Sequence, residues 1–341
     1  MVEQYSADPV TRALANMSGD GSREIQLRDI LRTIDLAAAD ARIERIVLLP
    51  DSIGAGLASL REIGQALDRF RDTGKDVVVV SEGMGQGAYY LAAHASEILL
   101  DPFGSVLLEG LSSYRSYYRD ALDKLGVDVH LIKVGEFKSA AEPFVLNQAS
   151  DDAREAARYW MGAVWDDYLE EVAALRKLDP ASLRNDIADL DRQIKAYGGD
   201  LARLALERKL VDRLATRAEA RELLKAKGVA SADGETFRQI HWSDYLDARV
   251  ELPDPRPQVG IVVAQGDIVP GEQPQGTVGA ASVAQLIRQA RGDDGIKALV
   301  LRVDSPGGDM FASEVIRREV ELPQEAGKPV LVSMGDVAAS G

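Results

Sequence analysis

The chain repeats a segment of its own sequence, and this repeat constrains the fold more than any other feature. Residues 43–54 (IERIVLLPDSIG) and 296–307 (IKALVLRVDSPG) are identical at six of twelve positions, at a constant offset of 253. The same offset aligns residues 74–79 (GKDVVV) with 327–332 (GKPVLV) without a gap. Two separated blocks at one offset indicate an internal duplication.

Each copy predicts the same order of elements: a strand, a turn, a helix and a second strand. In the first copy an apolar run covers 46–49, and apolar residues at spacings of three and four predict a helix over 60–70. Gly74 is expected to end that helix, and 77–80 is the next strand. The second copy predicts a strand over 299–303, a helix over 312–322 and a strand over 330–333. Buried Val and Leu runs alternating with helices are typical of parallel strands with right-handed crossovers.

The region between the copies predicts further elements and a domain boundary. We expect a helix over 114–125, a strand over 129–134 and a long helix over 151–178, which packs on its own domain or contacts a second subunit. Three prolines within 250–257 are typical of a linker. The predicted division is an N-terminal domain over 1–249, a linker over 250–258 and a second domain over 259–341.

Composition excludes several classes of function. Lys plus Arg number 40 against 55 Asp plus Glu, and a net charge of -15 leaves no basic excess for a nucleic acid. The lack of cysteine excludes disulfides, thiolate metal sites and a cysteine nucleophile. His94, His130 and His241 show no metal-ligand spacing. No segment reaches the roughly 18 to 20 apolar residues that span a bilayer.

The second copy contains a serine that the first copy lacks. Ser340 follows the last predicted strand and a glycine-containing turn, so we expect it at the start of a helix, near free backbone N–H groups. The offset aligns it with Gly87, or with Gln86 after a slip of one residue. Gly307 and Gly308 follow the neighbouring strand, where their N–H groups can hold an oxyanion. The serine alone is more typical of an ordinary strand-to-helix turn.

A serine nucleophile needs a base, and the candidate is Lys138 in the segment 135–144 (GEFKSAAEPF). For a lysine to act as a base near neutral pH, its pKa has to fall by about 3 units from about 10.4, which burial in an apolar pocket supplies. Phe137 and Phe144 are candidates to line such a pocket. The alternative is a surface ion pair with Glu142 four residues on, and the spacing alone favours that alternative.

The motifs GEFKSAAEPF (135–144), VDSPGGD (303–309) and SMGDVAASG (333–341), in this order in a duplicated chain, resemble the signal peptide peptidase A family of the long bacterial type, also called protease IV. The resemblance covers essentially all 341 residues. It implies an α/β fold of two tandem ClpP/crotonase-like spiral domains with parallel sheets and crossover helices. The first, degenerate copy would supply the lysine, and the second copy would supply the serine.

The resemblance also implies a reaction and a setting. It implies a serine endopeptidase with Ser340 as nucleophile, Lys138 as general base and N–H groups near Gly307 and Gly308 as oxyanion donors, without a metal or other cofactor. Family members cut remnant signal peptides and other hydrophobic peptides at the periplasmic side of the bacterial inner membrane, as membrane-anchored homo-oligomers, by resemblance tetramers. The family's anchor and everything beyond Gly341 are missing here, so we expect the chain as given to be inactive.

Two other functions remain open at this point. The fold would also suit a crotonase-type acyl-thioester enzyme, which uses backbone N–H groups as an oxyanion hole and needs neither Ser340 nor Lys138. The chain would also suit a non-catalytic assembly subunit that has kept the fold. The presence of both the serine and the lysine argues against the second alternative.

Overall fold

Parallel strands and the helices that connect them make up both halves of the chain. A computed structural model describes residues 1–5, 24–249 and 258–339. The helices are α1 (Leu27–Ala39), α2 (Leu57–Asp72), α3 (Gln86–Ala93), α4 (Arg119–Lys124), α5 (Glu142–Val145), α6 (Asp151–Arg176), α7 (Pro180–Ala188), α8 (Leu190–Ala196), α9 (Leu201–Glu207), α10 (Arg217–Lys227), α11 (Trp242–Asp247), α12 (Ala280–Gly292) and α13 (Met310–Glu325). The strands are β1 (Arg45–Leu48), β2 (Asp76–Ser81), β3 (Met84–Gly85), β4 (Glu97–Leu100), β5 (Val106–Leu107), β6 (Arg213–Leu214), β7 (Gln258–Gln265), β8 (Ile268–Val269), β9 (Val278–Gly279), β10 (Ile296–Ser305) and β11 (Val330–Ala338).

Each half contains one main sheet. In the first half the strand order is β1-β2-β4-β6, and in the second half it is β11-β10-β7. All neighbouring strands in both sheets run parallel. Parallel neighbours need a crossover connection, and helices such as α2 and α13 supply it. The prediction of an α/β fold with parallel sheets and crossover helices is confirmed.

The duplication seen in the sequence is also present in three dimensions. Helices α1 and α12 both have 13 residues and begin 253 positions apart, as do α2 and α13, which both have 16 residues. The strand register repeats as well, because Ile46 pairs with Val77 in the first sheet and Leu299 pairs with Val330 in the second. The offset of 253 therefore extends beyond the two sequence blocks that revealed it.

Each repeat packs its own hydrophobic core. In the first repeat Phe70 of α2 and Val77 of β2 are fully buried. In the second repeat Ile287 of α12 and Leu299 of β10 are buried in a separate cluster. Residues 250–257 of the predicted linker lie outside the described residues, and Gln258 begins β7. The position of the domain boundary therefore stays a prediction.

Two predicted elements between the repeats differ from the structure. The helix expected over 114–125 is reduced to α4, and the expected strand over 129–134 does not form. The side chains of Ile132 and Val134 are 94% and 83% exposed. An apolar run becomes a strand only where a neighbouring strand satisfies its N–H and C=O groups, and the described residues provide no such neighbour here.

The longest helix, α6, is packed along only part of its length. Its C-terminal half buries Tyr168, Leu169 and Val172 against the first repeat. Towards its N-terminal end, Tyr159 and Trp160 are exposed. The prediction that α6 packs on its own domain therefore holds for the C-terminal half of the helix and not for its N-terminal end.

Candidate active site

The turn that follows β10 is held by a buried serine. Ser305 is 1% exposed. Its Oγ donates to the carbonyl oxygen of Gly266 at 2.7 Å and accepts a hydrogen bond from the N–H of Gly307 at 3.1 Å. The Gly307 N–H, one of the two groups expected to hold an oxyanion, is therefore already occupied. Ser305 is a site residue without a predicted role, although its place in the VDSPGGD motif is a signal for one.

Gly308 presents the other expected N–H group. The residues on either side of it bond to β8, since the N–H of Ile268 donates to Gly307 O at 2.9 Å and the N–H of Asp309 donates to Ile268 O at 2.8 Å. A Cβ on Gly308 would lie 2.1 Å from Ile268 O, so only glycine fits. Within the described parts of the chain, the N–H of Gly308 makes no hydrogen bond. A free N–H at the carboxyl end of a parallel strand is a candidate oxyanion donor.

The strand that leads to Ser340 is longer than predicted. A glycine turn was expected after residue 333, but β11 continues to Ala338 through a bulge. The bulge is seen in the pairing with β10, where Val303 pairs with Met334 but Ser305 pairs with Ala338. Beyond the bulge, the N–H of Ala339 donates to Ser305 O at 3.1 Å. The strand end is thus bonded directly to the turn that carries Gly308. Ser340 itself lies outside the described residues.

The first repeat shows how the corresponding position is used without a nucleophile. The offset aligns Ser340 with Gly87, the second residue of α3. The residue before it, Gln86, donates from Nε2 to Gly110 O at 3.0 Å and accepts from the N–H of Glu109 at 3.4 Å. The amide side chain of Gln86 therefore binds the backbone of its own repeat.

Lys138 lies on the surface of the first repeat. Its side chain is exposed and forms no hydrogen bond or ion pair with any residue that the structure describes. Phe137 and Phe144 are 55% and 48% exposed, so they do not enclose it in an apolar pocket. The alternative ion pair between Lys138 and Glu142 is not formed either. Within the described ranges, Lys138 thus has no ion-pair partner.

Glu142 makes a different contact, with the start of the longest helix. The residue is 2% exposed, and its carboxylate accepts hydrogen bonds from Ser150 Oγ at 2.6 Å and from the Ser150 N–H at 3.2 Å. Burial alone would raise the pKa of Glu142, but the two bonds from Ser150 and the positive charges of Lys133 and Arg115 together hold the pKa below its ordinary value. Ser150 in turn caps α6 by accepting from the N–H of Ala153. Glu142 therefore ties residues 135–144, here called the lysine loop, to α6.

The rest of the lysine loop is fixed through its backbone. Arg115 Nη1 donates to Ser139 O at 2.9 Å, and the N–H of Tyr118 donates to Pro143 O at 2.7 Å. The Tyr118 ring stacks on Phe144 with 6.3 Å between ring centroids. The side chain of Lys138 is therefore exposed on a loop that is anchored at the next residue and again at residues 142–144.

The histidines serve structural roles or lie at the surface. His94 is 5% exposed, and its Nδ1 lies 2.9 Å from Asp68 Oδ2. His130 is exposed, and His241 caps α11 by accepting from the N–H of Ser243. None of the three is hydrogen-bonded to the Gly308 turn or to the lysine loop. In the described ranges, no three acidic or histidine side chains cluster closely enough to hold a metal ion.

The chain is similar to known peptidases. Residues 69–230 match the model of peptidase family S49. Protease 4 of Salmonella typhi is 43% identical over 332 residues, which are 97% of this chain and 53% of the relative. Protease 4 of Haemophilus influenzae is 37% identical over 334 residues, 96% of this chain and 54% of the relative. Serine protease SPPA, chloroplastic, of Arabidopsis thaliana is 28% identical over 312 residues, 89% of this chain and 45% of the relative. The chain spans about half the length of these relatives.

Proposed function

The chain belongs to peptidase family S49, a family of serine peptidases, and we propose that its two repeats contribute to one endopeptidase site with Ser340 as nucleophile and Lys138 as general base. The observation that carries the proposal is the bond between the Ala339 N–H and Ser305 O. It holds the residue before Ser340 against the turn in which Gly308 keeps its N–H free. A nucleophile and an oxyanion donor are thereby expected side by side.

The proposed reaction proceeds through an acyl-enzyme. Ser340 Oγ attacks the carbonyl carbon of the scissile peptide bond, and its proton passes to the neutral amine of Lys138. The Gly308 N–H stabilises the resulting oxyanion. Lys138 then protonates the leaving amine as the C–N bond breaks, and a water molecule hydrolyses the ester, regenerating the serine. No step requires a cofactor.

Lys138 has to lose its contact with solvent before it can serve as the base. It is exposed in the structure, so a second surface has to cover the lysine loop. A bound apolar peptide, the remainder of the site or a second subunit would remove water from the ammonium group and favour its neutral form. No acidic side chain in the described part of the chain pairs with Lys138, and this suits the proposed role, since a nearby carboxylate would hold the proton on the amine.

Hydrophobic peptides, such as remnant signal peptides, are the proposed substrates. Met310 and Phe311, which directly follow the Gly308 turn, are 84% and 72% exposed, and Phe137 next to Lys138 is 55% exposed. Apolar side chains beside both proposed catalytic groups favour an apolar peptide. We place the reaction at the periplasmic side of the bacterial inner membrane, in a homo-oligomer. Among the helices within the described ranges, none has the length and apolarity needed to cross a membrane.

Labelling with a fluorophosphonate tests the proposal. The 341-residue chain is compared with a version extended through a complete second repeat. We expect the extended protein to be labelled at Ser340, and Lys138→Ala to slow labelling by about 10²- to 10⁴-fold, the usual contribution of a general base. Lys124→Ala, which removes an exposed lysine that forms no hydrogen bond or ion pair with a described residue, is the matched control. Labelling that persists in Ser340→Ala would contradict the assignment, and unchanged labelling in Lys138→Ala would remove the lysine from the mechanism.

A further inference from the structure

Helix α2 of the first repeat begins without a cap of its own. Its N-cap residue is Gly56, which has no side chain to accept from the first-turn N–H groups. The offset of 253 aligns Gly56 with Asp309, and in the second repeat Asp309 Oδ1 accepts from the N–H of Ala312 at 2.7 Å to cap α13. The two copies therefore differ at a position where every helix needs an acceptor.

The acceptor for α2 comes from the other repeat. Asp336 of β11 accepts from the N–H of Gly56 at 2.9 Å, from the N–H of Ser59 at 2.9 Å and from Ser59 Oγ at 2.7 Å. Ser59 is 4% exposed, so these bonds are partly shielded from water. A Cβ at Gly56 would lie 2.4 Å from Asp336 Cγ, and the glycine is what admits the carboxylate. A negative charge at a helix N-terminus is also electrostatically favourable.

Asp336 is located in the bulge that precedes the proposed nucleophile. Between the pairs Val303–Met334 and Ser305–Ala338 the ladder skips residues 335–337. Within the second repeat, Asp304 Oδ1 accepts a hydrogen bond from the N–H of Val337, a residue of the bulge, at 2.9 Å. From the first repeat, the start of α2 donates hydrogen bonds to the carboxylate of Asp336 in the same bulge. The bulge is thus held from both sides, by one residue of its own repeat and by one helix of the other.

We propose that Asp336 is a positioning residue for Ser340, acting through the cap that it places on α2. The proposal rests on the function proposed above. The cap fixes the bulge four residues before Ser340, and it thereby fixes the direction in which the chain leaves β11. The first repeat, which has no nucleophile, in this way sets the geometry of the second. Without the cap the bulge can relax into the ladder, and the end of β11 moves relative to the Gly308 N–H.

The test separates positioning from simple helix capping. In the extended protein, Asp336→Ala is expected to lower kcat and the rate of fluorophosphonate labelling by at least about 10-fold with KM within about twofold, since small displacements of a nucleophile are costly. Asp336→Gly is made as a second single variant, because it removes both the carboxylate and the Cβ that would lie 2.6 Å from a Cβ at position 56. Adding Gly56→Asp to Asp336→Gly gives α2 a cap like that of α13, without a link between repeats. The double variant is expected to recover the thermal unfolding midpoint but not kcat.

A matched control is available elsewhere in the chain. Asp179 caps α7 by accepting from the N–H of Ser182 at 2.8 Å and from Ser182 Oγ at 2.9 Å, which is the chemistry of Asp336 and Ser59. Asp179→Ala is expected to lower the unfolding midpoint and leave labelling unchanged.

Three results would overturn the inference. Unchanged kcat in Asp336→Ala removes the positioning role, and recovery of kcat in the double variant reduces Asp336 to a helix cap. If the unsubstituted protein is not labelled at Ser340, the proposed function fails and the inference fails with it. If the unsubstituted protein is labelled at Ser340 but either of the first two results is found, the inference is refuted and the proposed function stands.

Discussion

Lys75 and Lys328 lie 253 positions apart and make the same contact in the two repeats. Lys75 Nζ donates to the carbonyl oxygens of Ala37, Ala38 and Asp40 at the end of α1, at 2.7 to 2.9 Å. Lys328 Nζ donates to Ala290 O and Asp293 O at the end of α12, at 3.0 and 2.7 Å. In both copies a lysine just before a strand therefore satisfies carbonyl groups left free at the C-terminal end of an earlier helix, α1 in the first copy and α12 in the second.

Substitution of either lysine is expected to destabilise the repeat that contains it. Lys75→Met removes three charge-assisted bonds and should lower the free energy of unfolding by about 1–3 kcal/mol. All three tryptophans, Trp160, Trp165 and Trp242, lie before residue 250, in the same half of the chain as Lys75. Tryptophan fluorescence in urea should therefore detect Lys75→Met more strongly than Lys328→Met. Circular dichroism should detect both. An equal fluorescence shift for the two variants would mean that the repeats unfold together.

The buried guanidinium of Arg302 is expected to be the most costly charge to remove between the repeats. It contacts Glu3 Oε1 and Glu62 Oε1, each at 2.6 Å, while the Arg302 and Glu3 side chains are only 10% and 11% exposed. Arg302→Met leaves Glu3 buried without its partner and should cost about 3–5 kcal/mol in urea unfolding.

A surface ion pair provides the comparison for Arg302. Arg184 and Asp166 are 2.8 Å apart, but their side chains are 49% and 56% exposed. Arg184→Met should therefore cost no more than about 1 kcal/mol. The double variant Arg302→Met with Glu3→Gln should regain part of the loss, because no buried charge is left unpaired. Equal losses for Arg302→Met and Arg184→Met would show that the Arg302 contacts do not persist in solution.

Acid should weaken the attachment of the lysine loop to α6. Because the pKa of Glu142 in the folded chain is below its ordinary value of 4.5, its carboxylate stabilises the fold fully above that value. The stabilisation is lost as the pH falls through the lower pKa of the folded state. Glu142→Gln should cost about 1–2 kcal/mol at pH 7, and its difference from the unsubstituted chain should shrink below pH 4 or so. Urea unfolding across this pH range is the measurement.

An exposed glutamate on α6 serves as the control for Glu142. Glu155 is exposed and forms no hydrogen bond or ion pair with another described residue. Glu155→Gln should change the unfolding midpoint little at any pH. A pH-independent difference between Glu142→Gln and the unsubstituted chain would show that the carboxylate charge does not contribute.

The Gly308 turn should tolerate no side chain. Gly308→Ala forces its Cβ against Ile268 O, so β8 or the turn has to move, and the free N–H moves with it. In the extended protein we expect fluorophosphonate labelling to fall by about 10²-fold or more. Gly74→Ala is the control, since a Cβ there meets no atom within 4 Å and only the positive φ of 84° opposes it, at a cost of about 1 kcal/mol in stability. Its labelling should be unchanged.

Much of the fold could be predicted from the sequence because the relevant signals are local. Apolar periodicity locates α2 and α13, and Gly74 and Gly327 mark their ends by a positive φ of 84° and 81°. The offset of 253 follows from identity alone, and the structure extends it to equal helix lengths and an equal strand register. The turn that carries Gly308 was found by its position after a parallel strand.

Contacts between residues that are distant in the chain were decided only by the tertiary structure. Local spacing predicts a strand over 129–134 and allows a Lys138–Glu142 pair. No strand of the described residues pairs with 129–134, however, and Glu142 binds Ser150 instead. The same holds for Asp336, which caps a helix 277 residues earlier. Hydrophobic periodicity and helix-end signals act within one element, so the sequence by itself determined the elements and their repetition. Which polar groups meet across repeats was decided only when folding brought them together, because a buried donor takes the acceptor nearest in space.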